Sequence, residues 1–333
     1  TTSHSTQTNA LLLVSPPSQQ NTTHNSQKLT QPSYPLNSTL KYLAFDRKLN
    51  FSAHIESVLT KAKNALNLLK AISSKEWGKH KETIIATYKT IIRPHLEYAS
   101  TIWAPILSET NLKKIQTLQN AALRIATGCT KDTNTQHLHD ETLVLPIKDH
   151  LCIHSSNLKH KSKHPTHPLH LLQQQLPPPR LQKPTIFFTS DHTLEVDIDH
   201  QTASKQSIKR DCKGIHDWLT EHYLSNRQVN NVCQEIPIPV DSTEATLPRK
   251  QRVLLSQIRA GKSTFLLSYL HLINPEQHPS EACPICNHPK HDSIHLFQCP
   301  QVPTDLTPFA LWEDPIKVSE LLDRWRPLLP HLD

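Results

Sequence analysis

Apolar side chains recur at three-and-four spacing in three stretches after residue 40, each with lysines falling mostly between them. In the first, Ile55, Val58, Leu59, Ala62, Ala65, Leu66 and Leu69 share one stripe while Lys61, Lys63 and Lys70 lie largely off it, the pattern of an amphipathic helix with one buried face. The second runs from Lys81 to about Ile92 with Ile84, Ile85, Tyr88, Ile91 and Ile92 on its stripe. Pro94 follows, and its missing N–H predicts a kink or an end there. The third runs from about Glu109 to Ala126, with Leu112, Ile115, Leu118, Ala122, Leu123 and Ile125 inward and Gly128 as its stop. Three helices joined by short connections can share one core.

The flanks read differently. Residues 1–40 are rich in Ser, Thr, Gln and Asn, nearly uncharged and without helical period, so a disordered or degenerate segment is expected. Residues 161–245 open on HKSKHPTHPLHLLQQQLPPPRLQKP and continue with Pro237 and Pro239, which predicts an irregular linker with one short helix around Trp218. Arg249 to Leu272 reads as a basic amphipathic helix, and Leu311 to Trp325 as a short terminal one. The expected organisation is therefore mostly α: a helical region over 41–160, a Pro/His-rich linker over 161–245, and a basic helix, cysteine module and terminal helix over 246–333.

Composition changes this picture in three ways. Only 36% of the 333 residues are hydrophobic, and 26 prolines stand against 4 glycines, which favours small ordered islands over one large core. No methionine occurs anywhere, so the sequence reads as a fragment of a larger reading frame. The formal charge is +7, and the surplus sits in the helical region, a distribution suited to a polyanionic partner. The longest early apolar run, Ala10 to Val14, is too short for a signal sequence and nothing approaches a membrane span. An intracellular setting, nuclear or cytoplasmic and not secreted, is the expectation.

The sharpest chemical signal is CPICNHPKHDSIHLFQCP, which spaces Cys283, Cys286, His295 and Cys299 as a CCHC set. Zinc takes four such donors near-tetrahedrally, with Zn–S about 2.3 Å and Zn–N about 2.0 Å. A CxxC turn offers two thiolates from one loop and HxxxC the remaining pair from one helical turn. Four protein ligands leave no place for water, so the expected role of the zinc is structural. His288 and His291 are rival ligands; the apolar Leu296 and Phe297 beside His295 favour it as part of a packed turn. The other cysteines, Cys129, Cys152, Cys212 and Cys233, are scattered and suggest no disulfide framework.

Other signals are weaker. Gly261, Lys262, Ser263 and Thr264 spell the end of a nucleotide-binding loop, but the glycine such a loop needs at 256 is Ser256, so the stretch reads as the exposed face of a helix. Lys61, Arg93, Lys113 and Lys114 are candidate phosphate contacts, although a solvated helix face explains lysines equally well. Trp77 and Trp103 could stack bases but read as core anchors. No adjacent aspartates in a hydrophobic hairpin suggest a two-metal nucleotidyl-transfer site.

Finally, KYLAFDRKLNFSAHIESVLTKAKNALNLLKAI, TYKTIIRPHLEYASTIW and KKIQTLQNAALRIATGC together resemble the region after the palm in reverse transcriptases of non-LTR retrotransposons, jockey-like elements especially. In that family this region is a helical thumb, and a C-terminal cysteine-histidine motif is typical. The resemblance implies that 41–160 is thumb-like and contacts template-primer nucleic acid, RNA or DNA, through its backbone, and that the zinc module touches nucleic acid. The parent protein would be an RNA-directed DNA polymerase whose paired aspartates coordinate Mg²⁺; those aspartates have no matching positions here, so no catalytic residue is carried over. A decayed transposon remnant, or a zinc-dependent protein-binding adaptor without catalysis, is the competing expectation.

Overall fold

The computed structural model describes residues 51–74, 78–162, 164–170 and 205–332. The readings of residues 1–40, of Trp77 and of most of the first half of the linker lie outside the described residues. Those described are mostly helical, with no β-strand among them, and all lie within one compact unit, Thr39–Asp333.

The first predicted helix is α1, Ser52–Ile72, with Ile55, Val58, Leu59, Ala62, Leu66 and Leu69 buried as its stripe requires and Lys61, Lys63 and Lys70 exposed. The second does not stop at Pro94. Helix α2, Lys81–Thr87, passes into a π-turn at Tyr88–Ile92 and resumes as α3, Arg93–Glu97. A π-turn widens the helix by one residue just where the proline ring would clash with the preceding turn, so the chain crosses Pro94 without breaking. Ile91 is displaced from the stripe by this widening and is 40% exposed, contrary to its expected inward place.

Beyond α4, Ser100–Trp103, helix α5 spans Glu109–Thr127. The Ser108 side chain caps its start by accepting from the Asn111 N–H, and Gly128 ends it at φ 73°. Trp103 is fully buried, and its indole N–H donates to the Tyr98 carbonyl at 2.8 Å; it is a core anchor. Helices α6, Thr135–Thr142, and α7, Ile147–Ser162, complete a first hydrophobic core from Phe51 to Cys152. The helix expected around Trp218 is a long one, α8, Lys205–Ser225, whose Ile215 and Leu219 pack with Ile153 of α7.

The expected basic helix is split. Helix α9, Arg249–Arg259, ends before Gly261 at φ 63°, and α10, Leu267–Ile273, follows after a turn. Gly261 to Thr264 are thus not an exposed helix face: Ser263 is buried, its hydroxyl 3.4 Å from Gln257 Oε1 and accepting from the Phe265 N–H. Helix α9, the cysteine-rich loop, α11 at Ala310–Glu313 and α12 at Pro315–Trp325 enclose a second core, from Val232 to Leu329.

Helix α9 joins the two cores, and it does so with its three arginines turned inward. Arg249 donates to the Ala126 and Ile125 carbonyls at the end of α5, where helix carbonyls lack partners. Val253 packs against Gly128 so closely that a Cβ there would lie 2.7 Å from its methyl carbons. Arg259, fully buried, reaches Glu141 of α6 at 2.9 Å, the Glu244 carboxylate and the Leu311 carbonyl. Lys81 of α2 meets the same two carboxylates, at 2.9 and 3.2 Å, and Arg252 meets Glu82 and approaches Glu244. Three cations thus face three carboxylates drawn from α2, α6, the Ser242–Thr246 turn and α9.

Burial alone would raise the Glu141 carboxyl, but Arg259 and then Lys81 more than reverse this and hold it down to about 2. Because that value is depressed, the stabilisation is complete above the ordinary carboxyl value of 4.5 and is lost as pH falls toward 2. Removing one partner leaves the others buried and uncompensated. Arg259→Met is therefore expected to lower the unfolding free energy by about 3 to 5 kcal/mol in urea titrations at pH 7. Glu141→Gln is expected to lose stability at pH 7 and to show a flatter acid dependence between pH 4.5 and 2 than the parent chain.

Candidate metal centre

The cysteine-rich loop is shaped by backbone bonds before any ligand is considered. The Cys283 N–H donates to the His288 carbonyl at 2.8 Å, the Asn287 N–H to the Cys283 carbonyl at 3.0 Å, and the His291 N–H to the Glu281 carbonyl at 2.7 Å. Asn287 takes a left-handed conformation at φ 57° to close the turn. On the other side, Asp292 accepts from the Ile294 and His295 N–H groups and starts the single 3₁₀ turn His295–Phe297, after which Cys299 follows.

These two pieces bring Cys283, Cys286, His295 and Cys299 together, with one donor atom from each lying within 4.8 Å of all the others. His295 Nε2 is 3.3 Å from Cys286 Sγ. Donors about 2.0–2.3 Å from one tetrahedral ion are separated by roughly 3.4–3.8 Å, so the cluster could hold a metal ion with little adjustment. Burial pushes the Cys299 thiol up to about 11, and the neighbouring Cys286 and Cys283 sulfurs push the same way. At Cys286 burial also acts upward, but the His288 backbone N–H and the other two thiols outweigh it and hold the thiol below its ordinary value. A cation is the natural resolution of three crowded thiols, because it draws off their protons.

Neither rival histidine is in this donor set, although the buried His291 Nε2 has no hydrogen-bond partner. His288 stacks on His295 at 4.3 Å, and its Nδ1 is taken by the Lys290 backbone. His291 is fully buried and accepts from the Leu267 N–H through Nδ1. Burial, then His295 and His331, lower it to about 4. Cys283, Cys299, Leu296 and Phe297 all belong to the second core, and the Trp325 indole donates to the Leu296 carbonyl, so the donor cluster is a packed part of that core.

Of the candidate phosphate contacts, Lys61 and Lys113 are exposed on α1 and α5. Lys114 of α5 binds Glu56 of α1 and holds that carboxyl below its usual range, with Lys63 acting the same way. Arg93 is paired within its own helix: its Nε lies 3.3 Å from Glu97 Oε1. Sequence spacing did not single out a second cluster that the fold assembles, Glu97 of α3 with His150 and His154 of α7. The one signal it left was the four-residue interval between the two histidines. Among the described residues, no helix is long and apolar enough to cross a membrane.

Comparison with known proteins finds similarity to a probable RNA-directed DNA polymerase from transposon X-element of Drosophila melanogaster, 31% identical over 155 residues. The match takes in 45% of this chain and 17% of that protein, so it spans about a sixth of the relative's length. No family model matches the chain, and no solved structure matches it. The similarity bears out the resemblance to a transposon reverse transcriptase that the helical stretches carry.

The geometry distinguishes the three histidines by experiment. His295→Gln and Cys283→Ser are each expected to remove one metal ion per chain after gel filtration, read by elemental analysis, whereas His288→Ala is expected to leave that ion in place.

Proposed function

We propose that this chain is the thumb and zinc-module part of a transposon reverse transcriptase, binding template-primer nucleic acid through the phosphate backbone. The observation that carries the reading is the similarity to the X-element polymerase. The helical region supports it chemically: α1 and α5 pack side by side, and Lys61, Lys63, Lys70 and Lys113 project from them into solvent. Solvated lysine ammonium groups on adjacent helices suit phosphates, which need charge at suitable spacing more than a fixed geometry. Lys114 contributes after exchanging Glu56 for a phosphate, and Arg93 contributes least because Glu97 already neutralises it.

In the same reading Cys283, Cys286, His295 and Cys299 hold Zn²⁺. Three thiolates and one imidazole match its preference, and four protein donors close its shell, so the ion fixes the loop and performs no chemistry. The loop's contact with α10, through the His291 carbonyl and the Ser268 N–H, ties that fixed shape to the helix beside it. Template, primer and polymerase carboxylates belong to the parent activity, which this reading assigns to the assembled polymerase and to no residue here.

Fluorescence anisotropy on an RNA–DNA duplex of about 20 base pairs tests the proposal. Each neutralised phosphate adds about 0.9 to the salt slope, so three or four contacts give a log–log slope of roughly −3 to −4. Lys61→Glu and Lys113→Glu are each expected to weaken binding and flatten that slope by about one. Binding that ignores salt, or no binding by zinc-loaded protein, would overturn it and favour the adaptor or remnant.

A further inference from the structure

We propose that Glu97, His150 and His154 form a second metal site, an open site of two imidazoles and one carboxylate that takes a divalent transition-metal ion such as Zn²⁺. It lies apart from the cysteine cluster in sequence and core, and does not rest on the nucleic-acid reading.

The argument begins with α7. Residues four apart share one helix face, and the His150 and His154 rings lie 4.9 Å apart, centroid to centroid. Helix α3 ends at Glu97, beside this face. His150 Nδ1 lies 2.8 Å from Glu97 Oε1, and His154 Nε2 lies 4.0 Å from Glu97 Oε2. The three donor atoms all fall within 4.8 Å of one another, against the roughly 3.4 Å expected between ligands about 2.1 Å from one ion.

Two further observations point to a ligand. Glu97 Oε1 is shielded from solvent with His150 Nδ1 at 2.8 Å and Arg93 Nε at 3.3 Å, yet none of these three atoms makes an aligned hydrogen bond. Buried polar atoms are rarely left so, and an ion seated beside the pair, with the two donors moving slightly apart, would engage a lone pair of each. His154 is also oriented from behind: the buried Ser100 hydroxyl lies 3.4 Å from its Nδ1, leaving Nε2 turned toward Glu97. A hydrogen bond on the far ring nitrogen is the usual partner of a metal-bound histidine.

Two imidazoles and a carboxylate suit Zn²⁺, Co²⁺ or Fe²⁺ far better than Ca²⁺ or Mg²⁺. Three protein donors leave a coordination position for water. Arg93 opposes a second cation, its Nε being 3.3 Å from Glu97 Oε1, so this ion is held more weakly than one at the four-donor cluster and leaves first under a chelator.

The test uses the full chain equilibrated with excess Zn²⁺ and then with Co²⁺. Wild type is expected to hold two ions and His154→Gln one, with helical circular dichroism unchanged because this side chain is part-exposed at the surface. In the Co²⁺ form, the difference spectrum between the two proteins should show visible ligand-field bands without the near-ultraviolet thiolate charge transfer that the cysteine cluster produces. The same number of ions in His154→Gln as in wild type, or a difference spectrum carrying thiolate bands, would each overturn the proposal.

Discussion

A charge buried in protein interior costs several kcal/mol unless partners surround it, and among the described residues this fold places six lysine, arginine and glutamate side chains, Lys81, Arg249, Arg252, Arg259, Glu141 and Glu244, where solvent barely reaches. None of them is tolerable alone. Arg259 needs Glu141 from the first core and Glu244 from the turn before α9, while Lys81 needs the same two carboxylates. The requirement fixes where α9 sits, and α9 in turn fixes the two hydrophobic cores against each other. Apolar burial drives each core separately; the ion network specifies that they meet in one register.

The cysteine–histidine cluster hangs from the same arrangement. Ser293, between the two halves of the donor set, donates to the Ile258 carbonyl one residue before Arg259. His291 is braced by α10 on one side and by Trp325 of α12 on the other. The loop that presents the four donors is therefore held in place by α9, by α10 and by the last long helix, and its geometry depends on the packing that the buried charges enforce.

Much of this was legible in the sequence where one period or one spacing decides the outcome. The stripes of α1 and α5 predicted their buried faces, Gly128 marked a real stop, and the CCHC spacing found the residues that the fold gathers. Other features needed information that no local pattern holds. Pro94 reads as a break, yet a π-turn carries the helix across it. Arg249 to Leu272 reads as a basic amphipathic helix, but that Arg249, Arg252 and Arg259 turn inward depends on partners mostly far away in the chain, although their three-and-four recurrence with Ser256 is itself the mark of a packed stripe. Spacing alone left three histidines as rivals, and it is the fold that gathers His295 with the three cysteines. Glu97 has no sequence relation to His150 and His154, so their meeting is a product of the tertiary fold.

The separation of the charged partners along the chain also shapes how the molecule comes into being. Glu141 lies 118 residues before Arg259, and Lys81 lies 163 before Glu244. At a synthesis rate of 5 to 20 residues per second, roughly 6 to 24 seconds pass between the appearance of Glu141 and that of its arginine. Until α9 is made Glu141 lacks Arg259, so the ion network that joins the two cores can close only after the second half of the chain has been synthesised.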